Sequence, residues 1–136
     1  MNHRYMVSLE VCSDSLTLAE LSSKLGRPPG KTSHDKDQAR YNNERFGTTI
    51  WQLESNLSED TPIEKHLENL TVHFQPKEFL QRLPEGCAAY LNIGVLYDTR
   101  KILAVGLVLP PEAVEIVNAY RAYLEITCYP TELTDE

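Results

Sequence analysis

The sequence predicts an α+β domain: a mixed sheet of about five strands with helices mainly on one face, ferredoxin-like in character, in the order β-α-β-α-β-β-α-β. Three observations carry this. Apolar residues alternate at Tyr5, Val7, Leu9 and Val11, at Thr49, Trp51 and Leu53, and from Ala89 to Tyr97, as in strands with one covered face. Leu18, Leu21 and Leu25, then Ile63, Leu67, Leu70 and Phe74, fall at helical spacing. Ile102 to Leu109 runs for eight residues without a charge, the pattern of a strand covered on both faces.

Each element has a local reason. Asp14 and Ser15 turn the chain after the first strand, and Thr17 with Glu20 forms the Thr-x-x-Glu capping box of the first helix. Gly26 is its C-terminal cap. From Arg27 to Gly47 the periodicity is lost, and five cations (Arg27, Lys31, Lys36, Arg40, Arg45) face three acids (Asp35, Asp37, Glu44). Such a stretch is either a functional loop or a solvated one. Thr61-Pro62-Ile63-Glu64 combines an N-cap, an N1 proline and a capping-box Glu. Pro76 interrupts, and Lys77 to Leu83 suits a short further helix before Pro84-Glu85-Gly86. Asp98 to Lys101 reads as a hairpin turn into the uncharged strand. Pro110 and Pro111 stop that strand and open a helix with Ala113, Val114 and Val117 as its buried stripe, Ile116 and Tyr120 at its sides. In the last strand Leu124, Ile126 and Cys128 point to the core, and Tyr123, Glu125, Thr127 and Tyr129 away from it. The first strand, first helix and Trp51 strand make one β-α-β unit; the uncharged strand, last helix and last strand make another. Residues 1–130 are expected to form one domain, with 131–136 an acidic tail.

The 136 residues are 41% hydrophobic and 24% charged, with a formal net charge of -7. A nucleic-acid binder needs excess Lys and Arg, so that class is disfavoured, as is adsorption to anionic membranes. No apolar run reaches the length of a membrane span. The N-terminus lacks a continuous apolar segment, so no signal peptide is inferred. The three cysteines, Cys12, Cys87 and Cys128, form no CxxC pair and read as reduced thiols of a cytoplasmic protein, Cys128 in the core.

With these elements placed, the chain resembles the bacterial family known as domain of unknown function 4279. The resemblance covers nearly the whole chain. It lies in the strand Tyr5 to Val11, in Leu25-Gly26-Arg27-Pro28 and in the polar Ser33 to Arg40 loop leading to Trp51. It continues through the helix Ile63 to Leu70, Gly106-Leu107-Val108-Leu109 and the closing Glu125-Ile126-Thr127-Cys128-Tyr129. Departures are Asp37 near a usual loop Gly, Pro110 where a Ser-like helix cap is usual, and Thr127-Cys128 where an Asp commonly precedes the terminal Tyr. The resemblance implies a small bacterial cytoplasmic domain and no particular activity.

No catalytic signature survives inspection. Gly26 to Thr32 is one residue short of a phosphate loop, follows a helix, and its two prolines remove amide donors. A weaker anion site through Arg27 and Lys31 is the remaining reading. His66 and His73, seven apart, flank the apolar stripe of their helix as rim histidines rather than metal ligands. No metal and no cofactor is called for. Trp51 shares a face with Leu53 and reads as core.

The most informative constellation is the sheet face opposite the core. It pools Ser8, Glu10, Gln52, Glu54, Tyr90, Asn92, Glu125, Thr127 and Tyr129. Tyr interleaved with carboxylates and amides suits recognition of a protein or a basic ligand; the plain alternative is a solvated antiparallel face. The first reading is a non-enzymatic interaction domain binding a protein partner, basic in character, through Glu10, Gln52, Tyr90, Asn92, Glu125 and Tyr129. Bacterial immunity proteins, which neutralise basic partners, fit that charge and size. The second is a small-ligand or enzymatic domain with its site under the 27–47 loop. The third is a homodimer joined through an edge strand or sheet face.

Overall fold

A computed structural model describes residues 3–37, 47–100 and 106–131. The elements run β1 (Arg4–Ser13), α1 (Leu18–Leu25), β2 (Thr49–Glu54), α2 (Ile63–His73), α3 (Pro76–Arg82), β3 (Ala88–Asp98), α4 (Pro111–Ala119) and β4 (Tyr123–Thr131). The strands form one mixed sheet in the order β2-β1-β3-β4 among the described residues. β1 is antiparallel to both β2 and β3, whereas β3 and β4 are parallel.

Alternation decides which face is covered. Val7, Leu9 and Val11 of β1, Trp51 of β2 and Ala89, Leu91, Ile93 and Val95 of β3 are all buried. Leu21 and Leu25 of α1, Ile63, Leu67 and Leu70 of α2, and Phe79 of α3 pack against them. An aromatic series crosses this core edge to face: Trp51 to Phe74 at 6.1 Å, Phe74 to Phe79 at 5.3 Å, Phe79 to Tyr120 at 5.4 Å. The Tyr120 hydroxyl donates to the Phe74 carbonyl at 2.5 Å, satisfying an acceptor at the end of α2. The Thr17–Glu20 capping box forms as the sequence predicts, and Gly26 closes α1 with φ 72°.

Several expectations change. The first β-α-β unit is not a parallel crossover: β1 and β2 are adjacent and antiparallel. The segment after α1 returns the chain, and His34 pairs with Ile50 on the outer edge of β2. The parallel crossover instead joins β3 to β4 through α4. β3 has both edges bonded, to β1 and to β4, so no edge remains for the expected hairpin partner Ile102 to Leu109. Gly106 to Leu109 carry no strand and Val108 is 88% exposed; Ile102 to Val105 lie outside the described residues. The ferredoxin-like arrangement of two such units is therefore not what this sheet has.

The remaining differences are local. Thr61 does not cap α2; its N–H donates to Ser58, extended Pro62 holds the cap position, and no side chain caps the helix. The stripe of α4 runs through Ala113 and Tyr120 rather than Val114, which is 54% exposed. Leu124, Ile126 and Cys128 of β4 are exposed, because the helices lie against β1 and β2. Of the expected 27–47 loop, residues 38–46 lie outside the described residues, as do 132–136 of the tail. Residues 27–37 are fastened down: Asp35 accepts from the Leu18 N–H at 2.9 Å, which also holds its carboxyl below the usual range.

Candidate functional site: a groove on the polar sheet face

The register aligns the polar side chains in rows across the sheet. One row is Gln52, Glu10, Tyr90 and Tyr123; the next is Glu54, Ser8, Asn92 and Glu125. Glu10 lies on β1, an inner strand, and is only 2% exposed. A carboxylate so placed needs donors. Gln52 from β2 donates its Nε2 to Glu10 Oε2, and Asn92 from β3 donates its Nδ2 to the same oxygen at 2.8 Å. Three of the six expected partner-binding residues thus meet at one point. Tyr90 lies beside Glu10 and its ring packs on Tyr123 at 5.2 Å, with Tyr123 67% exposed. Glu125 pairs in register with Asn92, and Tyr129 stands at the far end of the face.

This face is not the flat surface that alternation suggests, for Glu10 is recessed in it. Glu10 and Glu125 lie on strands separated by β3, about 10 Å apart by strand spacing, too far for a shared proton.

A groove of about 400 Å³ opens where β2 ends, on the stretch of β1 before Ser8. Gln52, Asn92 and Glu54 form its polar wall, Met6, Gly94 and Tyr129 its apolar side. Glu54 Oε1 accepts from the Thr32 hydroxyl at 2.6 Å and the Thr32 N–H at 3.2 Å, tying the segment after α1 to the groove's rim. Glu59 pairs with Arg4 at 3.6 Å. Glycine at position 94 lets two side chains close over the strand: a Cβ there would lie 3.1 Å from Tyr129 Cε2 and 3.3 Å from Met6 Cε.

His66 also lines the groove and is 1% exposed, a buried residue rather than the expected rim histidine; His73 is exposed. His66 Nδ1 lies 2.7 Å from Ser55 Oγ, while its Nε2 is buried and has no hydrogen-bond partner among the described residues. Desolvation pushes its pKa below the ordinary value, outweighing nearby backbone carbonyls that would raise it. Among the described residues no carboxylate meets Nε2 to orient the ring of the Ser55–His66 pair, as a catalytic base requires.

Arg27 and Lys31 do not converge on a shared site. The Arg27 guanidinium donates to Glu78 at 2.8 Å and to the His73 carbonyl at 3.3 Å, and lies 4.4 Å above the Phe74 ring. An anion would have to compete with Glu78, whose carboxyl Arg27 holds well below its ordinary pKa. Lys31 is exposed in a turn. Among the described residues no group of three or more His, Cys, Asp or Glu could hold a metal ion, and no helix is long and apolar enough to cross a membrane.

Sequence reasoning did not find the groove. Gly94 in mid-strand was its one local signal. Thr32, Ser55 and His66 come from segments with no strand periodicity, so nothing placed them beside β1 and β2.

Among the described residues, fold and site together define an α+β domain with a four-stranded mixed sheet, helices packed on one face, and a groove at the end of β2 walled by Gln52, Asn92 and Glu54. Residues 3–131 match the family described as Domain of unknown function (DUF4279), and the chain belongs to that family. No curated protein and no solved structure matches it.

Proposed function

We propose that this protein is a non-enzymatic interaction domain of the bacterial cytoplasm that binds a basic protein partner through its polar sheet face, in the manner of a neutralising immunity protein. The observation that carries this reading is the composition of the face: Glu54, Glu59 and Glu125 stand among Tyr90, Tyr123 and Tyr129 on one side of a chain of net charge -7. Tyrosines give contact area at low entropic cost and carboxylates select a basic partner. The alternative site under the 27–47 loop has less support, because Arg27 is committed to Glu78 and Phe74.

The test is affinity capture of the tagged protein from its native host, read by mass spectrometry, beside the Tyr123→Ala/Glu125→Lys variant. Both positions lie outside the groove, so folding should be kept. A specific partner lost in the variant supports the proposal; a partner retained at wild-type yield sinks it. Light scattering across protein concentrations separates a foreign partner from a second copy of the chain.

A further inference from the structure

We infer that the groove at the end of β2 is a receptor for a guanidinium, the side chain of an arginine carried by the basic partner. This rests on the interaction reading above and names the chemistry of its anchoring contact.

The argument begins with the buried carboxylate. An amide side chain can present either its oxygen or its NH2, and a carboxylate can only accept. Because Gln52 and Asn92 both donate their NH2 groups to Glu10, both amide oxygens are turned away from it. Gln52 Oε1 is buried and accepts no hydrogen bond among the described residues, a deficit that a donor from outside would repair. Glu54 adds acceptor capacity, since Thr32 occupies only Oε1 and Oε2 accepts no hydrogen bond among the described residues. Glu10 thus sets the polarity of a wall it does not itself form. An anion would face carboxylates there, and an apolar group would leave acceptors unmet.

Geometry then chooses among donors. Gln52 and Asn92 sit on β2 and β3, with β1 between them, and Glu54 lies one row along. An ammonium is a compact point charge, whereas a guanidinium spreads five N–H donors over a planar fork and can meet acceptors on different strands at once. The stem has a matching track. Met6 and Tyr129 flank the strip over Gly94, where a side chain would push both away. The volume of about 400 Å³ falls within the range of small-ligand sites.

The test is a titration of the full chain, 15N-labelled, with N-acetyl-arginine amide, followed by backbone amide shifts. N-acetyl-citrulline amide, the neutral isostere, and N-acetyl-lysine amide are the controls. The expected result is saturable shifts at Ser8, Gln52, Asn92 and Gly94 with the arginine derivative alone, weakened by roughly tenfold in Glu54→Gln. Absence of saturation, equal response to citrulline or lysine, or indifference to Glu54→Gln would overturn the inference. Should arginine fail while a host partner is still lost in Tyr123→Ala/Glu125→Lys, the groove assignment falls and the interaction reading stands. Saturable arginine binding with no partner captured gives the reverse.

Discussion

Acidification should destabilise this protein through His66 before Asp35 and Glu78 lose their contributions. His66 is almost wholly buried on α2, with Nδ1 beside Ser55 and Nε2 without a hydrogen-bond partner among the described residues. The backbone of Ser58 and Thr61 would favour an imidazolium, yet the shift is downward, so desolvation wins. The unfolded chain then takes up a proton below its own pKa of about 6.5 more readily than the folded one. Stability is full above that value and is lost as pH falls, with a limiting slope for one proton of about 1.4 kcal/mol per pH unit. For 136 residues the unfolding entropy near Tm is roughly 0.3 kcal/mol/K, so the slope corresponds to about 5 °C per pH unit. Asp35 and Glu78, whose carboxyl pKa values are lowered, lose their contributions only below about pH 4.5, which leaves a window for histidine. The assay is thermal unfolding by circular dichroism between about pH 7.5 and about pH 5 for the wild type and His66→Asn. Asn keeps a side-chain group near Ser55 and cannot titrate. Its slope should be shallower than that of the wild type. Equal slopes would refute the reasoning.

Other measurements address the core and the groove. Tyr120→Phe strands the Phe74 carbonyl in a buried setting and should cost about 1–3 kcal/mol, a fall in Tm of roughly 3–10 °C; an unchanged Tm would show that the hydroxyl contributes nothing. Trp51 is the only tryptophan and is fully buried, so its fluorescence should be blue-shifted and protected from acrylamide until the chain unfolds; ready quenching of the native protein would contradict the core packing. Gly94→Ala should hold or slightly raise Tm, because Tyr129 and Met6 are partly exposed and can give way, while altering the groove enough to weaken arginine binding; a large loss of stability would mean that they cannot yield.

Elements with a complete local signal were legible in the sequence. The apolar residues of β1 and β3 alternate, at Tyr5, Val7, Leu9 and Val11 and at Ala89, Leu91, Ile93 and Val95, and α1 carries both of its caps. Pairing direction was not, because periodicity reports which face a residue takes and is silent on the neighbouring strand. The uncharged run at Ile102 to Leu109 suggested a doubly covered strand, yet β3 had already taken β1 and β4 as neighbours. β4 has the alternation of a covered strand, but its apolar face lacks helices, so Leu124, Ile126 and Cys128 stand exposed. The polar face was legible as a set of residues, including Glu10, Gln52 and Asn92. Its relief was not, since the burial of Glu10 depends on donors 42 and 82 residues away along the chain.

That last separation bears on how the chain comes together. β1 is made first yet occupies an inner position in the sheet, and its second edge is filled only by β3. A nascent chain that has not reached residue 98 presents a bare strand edge and half of a core. Closing so long a loop is slow, and contacts of this range mark late-folding topologies. The Glu10–Asn92 bond therefore forms only when the two halves of the chain have found each other, so a molecule able to bind arginine is one that has finished folding.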